Sequence, residues 1–166
     1  MKKITYLILL ITLLIFINGC AGYKPIFSSI DSQFEIADYS IKGDKILGTK
    51  IYSKLNNLSK SKQDGQNARN ISLLINISKD KNATSKSSAG KILQYKITLN
   101  TDVKITDFIT NDKILNQTFI SSLTYKTQDQ YSDTLNLENK SIENLINKIF
   151  EEIFIELIES IVIKWS

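Results

Sequence analysis

Residues 93–105 alternate more strictly than any other stretch of this chain. Leu93, Tyr95, Ile97, Leu99, Thr101, Val103 and Ile105 fall on one side. Gln94, Lys96, Thr98, Asn100, Asp102 and Lys104 fall on the other. A period of two held this long marks a strand with one face in a core and one face in water, the habit of antiparallel sheets. The chain must then supply further strands beside it and something apolar to cover the inner face. A turn at residues 110–113 (TNDK) leads into a second alternating run. There Leu115, Phe119, Leu123 and Tyr125 oppose Asn116, Thr118, Ser122 and Thr124. Upstream, Ile71, Leu73, Ile75 and Ile77 alternate as well, ahead of a polar stretch, 79–90, that reads as a flexible connection. Residues 34–41 (FEIADYSI) read as a short first strand, broken by Gly43 and Asp44.

Two segments carry helical spacing instead. Leu47, Ile51, Leu55 and Leu58 form one apolar stripe, with Lys45, Lys50, Lys54 and Asn57 facing elsewhere and Asp44 placed to cap the start. A polar loop follows at 59–70. Residues 141–163 contain neither Pro nor Gly. Ser141 is the expected N-cap, with Asn144 where a capping box would hold Glu. Ile142, Leu145, Ile146, Ile149, Phe150, Ile153, Phe154, Leu157, Ile158 and Ile161 cover a wide arc opposite Asn147, Lys148, Glu151, Glu152 and Glu159. Acids recurring at every turn argue against a membrane span. The wide arc is expected to touch both the sheet and the first helix, and the alternative is that part of it meets a partner protein. Gly43, Gly48, Gly65 and Gly90 read as turn or helix-edge glycines. The expected fold is α+β in the order β-α-β-β-β-α: a two-layer sandwich whose four-stranded, mostly antiparallel sheet carries both helices on one face. A right-handed crossover would link the first two strands, and a meander would finish the sheet.

The N-terminal segment has a different character. Lys2 and Lys3 precede an apolar run, 4–17, interrupted only by Thr5 and Thr12. As a helix this run spans about 21 Å, short of a hydrocarbon core roughly 30 Å thick, so it reads as an export signal. Ile17-Asn18-Gly19-Cys20 closes it and resembles the bacterial lipobox, with Asn18 departing from the small or β-branched residue usual there. The expected organisation is a signal peptide at 1–19, a lipidated tether at 20–33 beginning with Cys20, and an α+β domain at 34–166. Ala21 follows the cysteine. In enterobacterial lipoproteins an Asp at that place holds the protein in the inner membrane, so its absence points toward the outer one. Acyl chains on Cys20 would hold the chain at a membrane, since two or more chains anchor stably where one does not. Pro25, the single proline, favours an extended path in the tether. Tyr23, Ile26 and Phe27 are left either to pack on the domain or to sit at the membrane interface.

Composition removes several functions. There is no histidine and one cysteine, so Ser–His and Cys–His triads, CxxC redox sites and thiolate metal clusters are excluded. No catalytic group, metal site or cofactor is expected. Net charge is +4, falling to +2 without the first 19 residues, too little for a nucleic-acid binder. A carboxylate-based hydrolase would have to use Glu151, Glu152, Glu156 or Glu159. These lie on the polar side of the last helix, where acids are solvated rather than raised in pKa.

The lipobox, the run Gly22-Tyr23-Lys24-Pro25-Ile26-Phe27 behind it, the element order and the length together resemble the lipopolysaccharide-assembly lipoprotein (LptE) family, alphaproteobacterial type. The passage 125–135 leading into a long last helix is also family-like. The resemblance implies an outer-membrane, periplasm-facing lipoprotein that acts as plug and assembly partner of the LptD β-barrel. Such a protein helps deliver lipopolysaccharide to the outer leaflet and is not an enzyme. Some members contact lipopolysaccharide through basic residues at one end of the domain. Arg69, Lys91 and Lys126 are candidates by their places near strand ends, against the plainer reading of solvated surface cations. The wet face with Gln94, Thr98, Asn100, Asn116, Thr118 and Ser122 suits docking in a polar barrel lumen. An auxiliary lipoprotein of another envelope lipid-trafficking complex, of ABC type, is the alternative, separated from the first by its partner.

Overall fold

The computed structural model describes residues 34–60 and 68–163. The export segment, Cys20, the tether and Gly65 lie outside the described residues. The order is β1 (Phe34–Gly43), α1 (Lys45–Lys60), β2 (Arg69–Lys86), β3 (Ile92–Asp107), β4 (Lys113–Lys126) and α2 (Tyr131–Ile163). The four strands form one sheet in the order β1-β2-β3-β4. β1 runs parallel to β2, and the other two pairs are antiparallel. Both helices pack on one face and touch each other, which is the expected α+β sandwich.

The alternating register explains the two faces. Ile71, Leu73, Ile75 and Ile77 of β2 are buried with Ile97, Leu99, Val103 and Ile105 of β3. Leu47, Ile51 and Leu55 of α1 close over them, as their spacing demanded. Most of the wide arc of α2 faces β3, β4 and α1, with Leu145, Ile146, Ile149, Ile153 and Leu157 almost fully buried, while Phe150 and Ile158 stay half-exposed. Asp44 caps α1, its carboxylate accepting from the Ile46 and Leu47 amides at 3.1 and 3.2 Å.

Gly48 is the fourth residue of α1, in its first turn. It lies buried inside α1, where a Cβ would come within 2.4 Å of Ile41 Cγ2. The helix crosses β1 at that point, and only a residue without a side chain permits the approach. Gly43 has a φ of +74°, and a Cβ there would meet the Ile77 carbonyl oxygen. The chain can thus leave β1 and let the Asp44 amide donate to that same carbonyl at 2.8 Å.

Two boundaries differ from the sequence reading. β2 continues to Lys86, with Lys79 opposite Leu99 and Lys86 opposite Ile92, so residues 79–86 are strand rather than loop. Register shifts around Ser85 bend the end of this hairpin. The last helix begins at Tyr131, ten residues before Ser141. Ser141 is a buried mid-helix residue and caps nothing. On the inner face of the sheet, Thr101 and Ser121 are buried with side-chain oxygens that find no partner among the described residues.

Candidate functional site

The outer face of the sheet is open to water and built from cross-strand rows. In one row, Asp102 accepts hydrogen bonds from Asn76 at 3.1 Å and from Thr118 at 2.7 Å, so one carboxylate joins three strands. Next to it, Asn100 donates to Asp80 at 3.2 Å. Gln94, Thr98, Asn116 and Ser122 stand on this face as expected. It also holds Lys96 and Lys104 and two bulky apolar residues, the half-exposed Leu74 and Ile120, 63% exposed. Directly opposed polar pairs stabilise a sheet surface while leaving hydrogen-bonding capacity toward solvent or a partner.

At the end of the sheet where β2 turns into β3, a half-buried cluster ties the hairpin to the start of α2. Lys81 pairs with Glu138, and the Tyr125 hydroxyl donates to the same Glu138 oxygen at 2.9 Å. The Lys81 ammonium lies 4.4 Å from the centroid of the Tyr95 ring, which stacks on Tyr125 at 5.8 Å. Burial works against the charge of Glu138, but the hydrogen bonds from Lys81 and Tyr125 outweigh it and hold the carboxyl below its usual range. Lys81 is likewise opposed by burial and held above its usual range by Glu138 and Tyr125. Burial, helped by the Glu138 charge, raises the Tyr125 phenol. A shallow cleft opens beside the cluster, lined among others by Lys91, Ile92, Tyr131 and Leu135. Its walls mix apolar residues with charges of both signs, Lys81 and Lys91 against Asp129 and Glu138.

The opposite end of the sheet is organised by Asp107. Its carboxylate accepts from the Thr110 and Ile109 amides, both at 2.9 Å, and from the Arg69 guanidinium. The Thr110 amide, Arg69 and the Ile109 amide hold this carboxyl down at about 2. Asn111 takes a φ of 60° to complete the turn between β3 and β4.

The three basic candidates are therefore not one site. Lys91, in the β2–β3 turn, and Lys126, at the end of β4 opposite Gln94, share one end of the sheet. Arg69 starts β2 at the other end and is committed to Asp107. Lys91 borders the cleft. Sequence reasoning missed Lys81, Tyr125 and Glu138 as a unit. Glu138 lies one turn before Ile142 on the buried stripe of α2, and that spacing is the signal that could have found it. Glu151, Glu152, Glu156 and Glu159 stand along the exposed to half-exposed side of α2, where Glu152 lies 3.9 Å from Lys148. No trio of acids or cysteines among the described residues is placed to hold a metal ion. No described helix is long and apolar enough to cross a membrane.

No family model matches this chain, and no curated protein matches it. Solved structures do share its fold. A protein from Caulobacter crescentus assigned as a lipoprotein superposes with a TM-score of 0.56 at 14% identity, over 81% of this chain and 94% of that one. The rare lipoprotein B of Shewanella oneidensis also gives a TM-score of 0.56, at 12% identity, over 78% of this chain and 99% of that one. A lipoprotein B from Nitrosomonas europaea gives 0.51 at 13% identity, over 80% and 88%. The fold of this chain is thus one shared with small bacterial proteins described as lipoproteins. At such identities the likeness is one of fold.

Proposed function

We propose that this chain is a lipoprotein of the LptE type, held at the outer membrane by acyl chains on Cys20. Its domain serves as plug and assembly partner of an LptD-like β-barrel in lipopolysaccharide transport, without catalysis of its own. The observation that carries the reading is the fold shared over nearly the whole length of the rare lipoprotein B of Shewanella oneidensis, joined to the lipobox and the run at residues 22–27 that resemble the LptE family. The polar outer sheet face supports it, because a barrel lumen is itself polar and wet and would accept such a surface through hydrogen bonds. Lys91 and Lys126 share one end of the sheet, beside the apolar Ile92, Tyr131 and Leu135 of the cleft, a pairing of cation and apolar surface that suits an acylated, phosphorylated glycolipid. Arg69 drops out of that role, since Asp107 occupies it.

The test is crosslinking of the full-length lipoprotein in whole cells, followed by purification from outer membranes. One large β-barrel should dominate the captured material, and depletion should lower surface lipopolysaccharide. Capture of an inner-membrane transport complex instead would move the chain to the ABC-type alternative and end the barrel reading.

A further inference from the structure

We propose that the turn between β3 and β4 dips its Phe108–Ile109 tip into the leaflet that holds the acyl chains, giving the domain a second, protein-borne contact with the lipid surface. The inference rests on the anchor reading of Cys20 and adds a site to it; in a plug the tip would stand at the periplasmic rim of the barrel, the end at which the tether also joins the domain. Phe108 is 52% exposed and Ile109 81%, side by side at a turn tip. Neither belongs to the buried core. The tip is held rigidly from behind: the Asp107 carboxylate fixes the Ile109 and Thr110 amides, and the Phe108 amide donates to the Asn70 carbonyl at 2.9 Å. A pair of bulky apolar side chains presented on a preformed turn loses little conformational freedom when it enters an apolar phase.

Chain geometry says what covers it. β1 begins at Phe34, whose partner is Arg69, and the antiparallel ladder that pairs Ile71 with Asp107 places Ile109 level with Arg69. The tip therefore lies at the height of Phe34, about 10 Å away across two strand spacings. Phe34 is where the chain coming from Cys20 joins the domain. The 13 residues between them reach at most about 45 Å when fully extended, less than the roughly 54 Å length of the 16-residue strand β3. A tether shorter than the sheet bars the domain from standing upright on its Lys91 end, and the exposed apolar pair stands at the end where the tether joins.

The full-length acylated protein would be reconstituted into phosphatidylethanolamine–phosphatidylglycerol vesicles doped with phosphatidylcholine brominated along its acyl chains. Trp165→Phe removes the native tryptophan, and Ile109→Trp or Ala89→Trp then reports from opposite ends of the sheet. Tryptophan at 109 should emit to the blue and lose at least half its intensity to the bromines, while tryptophan at 89 should be unaffected. Unquenched emission from 109 in vesicles that carry acylated protein overturns the proposal and leaves the anchor standing. Absence of acyl mass on Cys20 overturns both. In cells, a photo-crosslinking residue at 109 should capture lipid. A dominant crosslink to a protein would assign the tip to that protein and overturn the lipid contact.

Discussion

Replacing Gly48 by alanine should destabilise this protein, although the same change in most helices does the reverse. An interior Gly→Ala is worth about 1 kcal/mol to a helix, through backbone entropy. Here the new methyl would sit 2.4 Å from Ile41 Cγ2, where ordinary carbon contacts need about 3.5–4.0 Å. Ile41 cannot swing away cheaply, because it is β-branched, lies in a strand and has a stiff χ1. The helix must lift from β1 by an ångström or more, at the roughly 1–3 kcal/mol typical of overpacking. Net of the propensity gain, Gly48→Ala should cost up to about 2 kcal/mol. The diagnostic is a second background. Ile41→Ala removes the obstructing methyl and leaves Ile77 Cγ2 as the next neighbour, at an ordinary 3.5 Å. Gly48→Ala in that background should stabilise by about 0.5–1 kcal/mol, a coupling near 2 kcal/mol. Urea denaturation of the four proteins, followed by circular dichroism at 222 nm, measures it. A stabilising Gly48→Ala on its own, or an equal loss in both backgrounds, would refute the packing account.

Other outcomes follow from single contacts. Thr101→Val exchanges a buried hydroxyl without a partner for a methyl of the same shape and should raise stability by about 1 kcal/mol in urea titrations. Ile149→Ala, at a site of zero exposure between helix and sheet, should cost about 2–5 kcal/mol and lower Tm by several degrees. Glu138→Gln leaves the Lys81 ammonium over Tyr95 without its counter-charge and should cost about 1–2 kcal/mol at neutral pH. Folding holds the Glu138 carboxyl below its usual range, so its contribution exists above the unfolded pKa and fades as pH falls through the folded one. Wild type and Glu138→Gln should therefore converge in acid, and a gap that widened there would reverse the sign of the argument. Asp107, held at about 2, behaves alike: the difference in Tm between wild type and Asp107→Asn should persist at pH 5 and close between pH 4 and pH 2.

What could be read in the chain, and what could not, follows one rule. β3 and β4 were legible because each buries one face, so the alternation is written in residue type. Residues 79–86 were illegible because their side chains are polar on both faces. They form a strand only through register with β3, and such pairing carries no local signature. The first ten residues of α2 were missed for a related reason. Thr134, Glu138 and Ser141 continue the inward stripe of Ile142 and Leu145, but with polar groups that find partners or burial in the fold. An apolar-periodicity reading stops where the stripe turns polar, and Ser141 then mimics a cap. The hairpin-end cluster shares that blindness, since a lysine and a glutamate 57 positions apart are neighbours only after folding.

The parallel pairing of β1 with β2 has a consequence for how the molecule is made. A ribosome delivers β1 before the other described strands, yet its neighbour among them starts at Arg69, 26 residues beyond its own end at Gly43. The hairpin partners β2, β3 and β4 follow one another closely and can zip as they emerge, whereas β1 must wait for α1 to carry the chain back. During that interval the earliest-made strand is an unprotected ribbon, the sort of segment that export chaperones hold open. Its late docking, and its position at the margin of the finished sheet, make β1 with α1 the part expected to detach first under mechanical or thermal load while the meander and α2 stay closed.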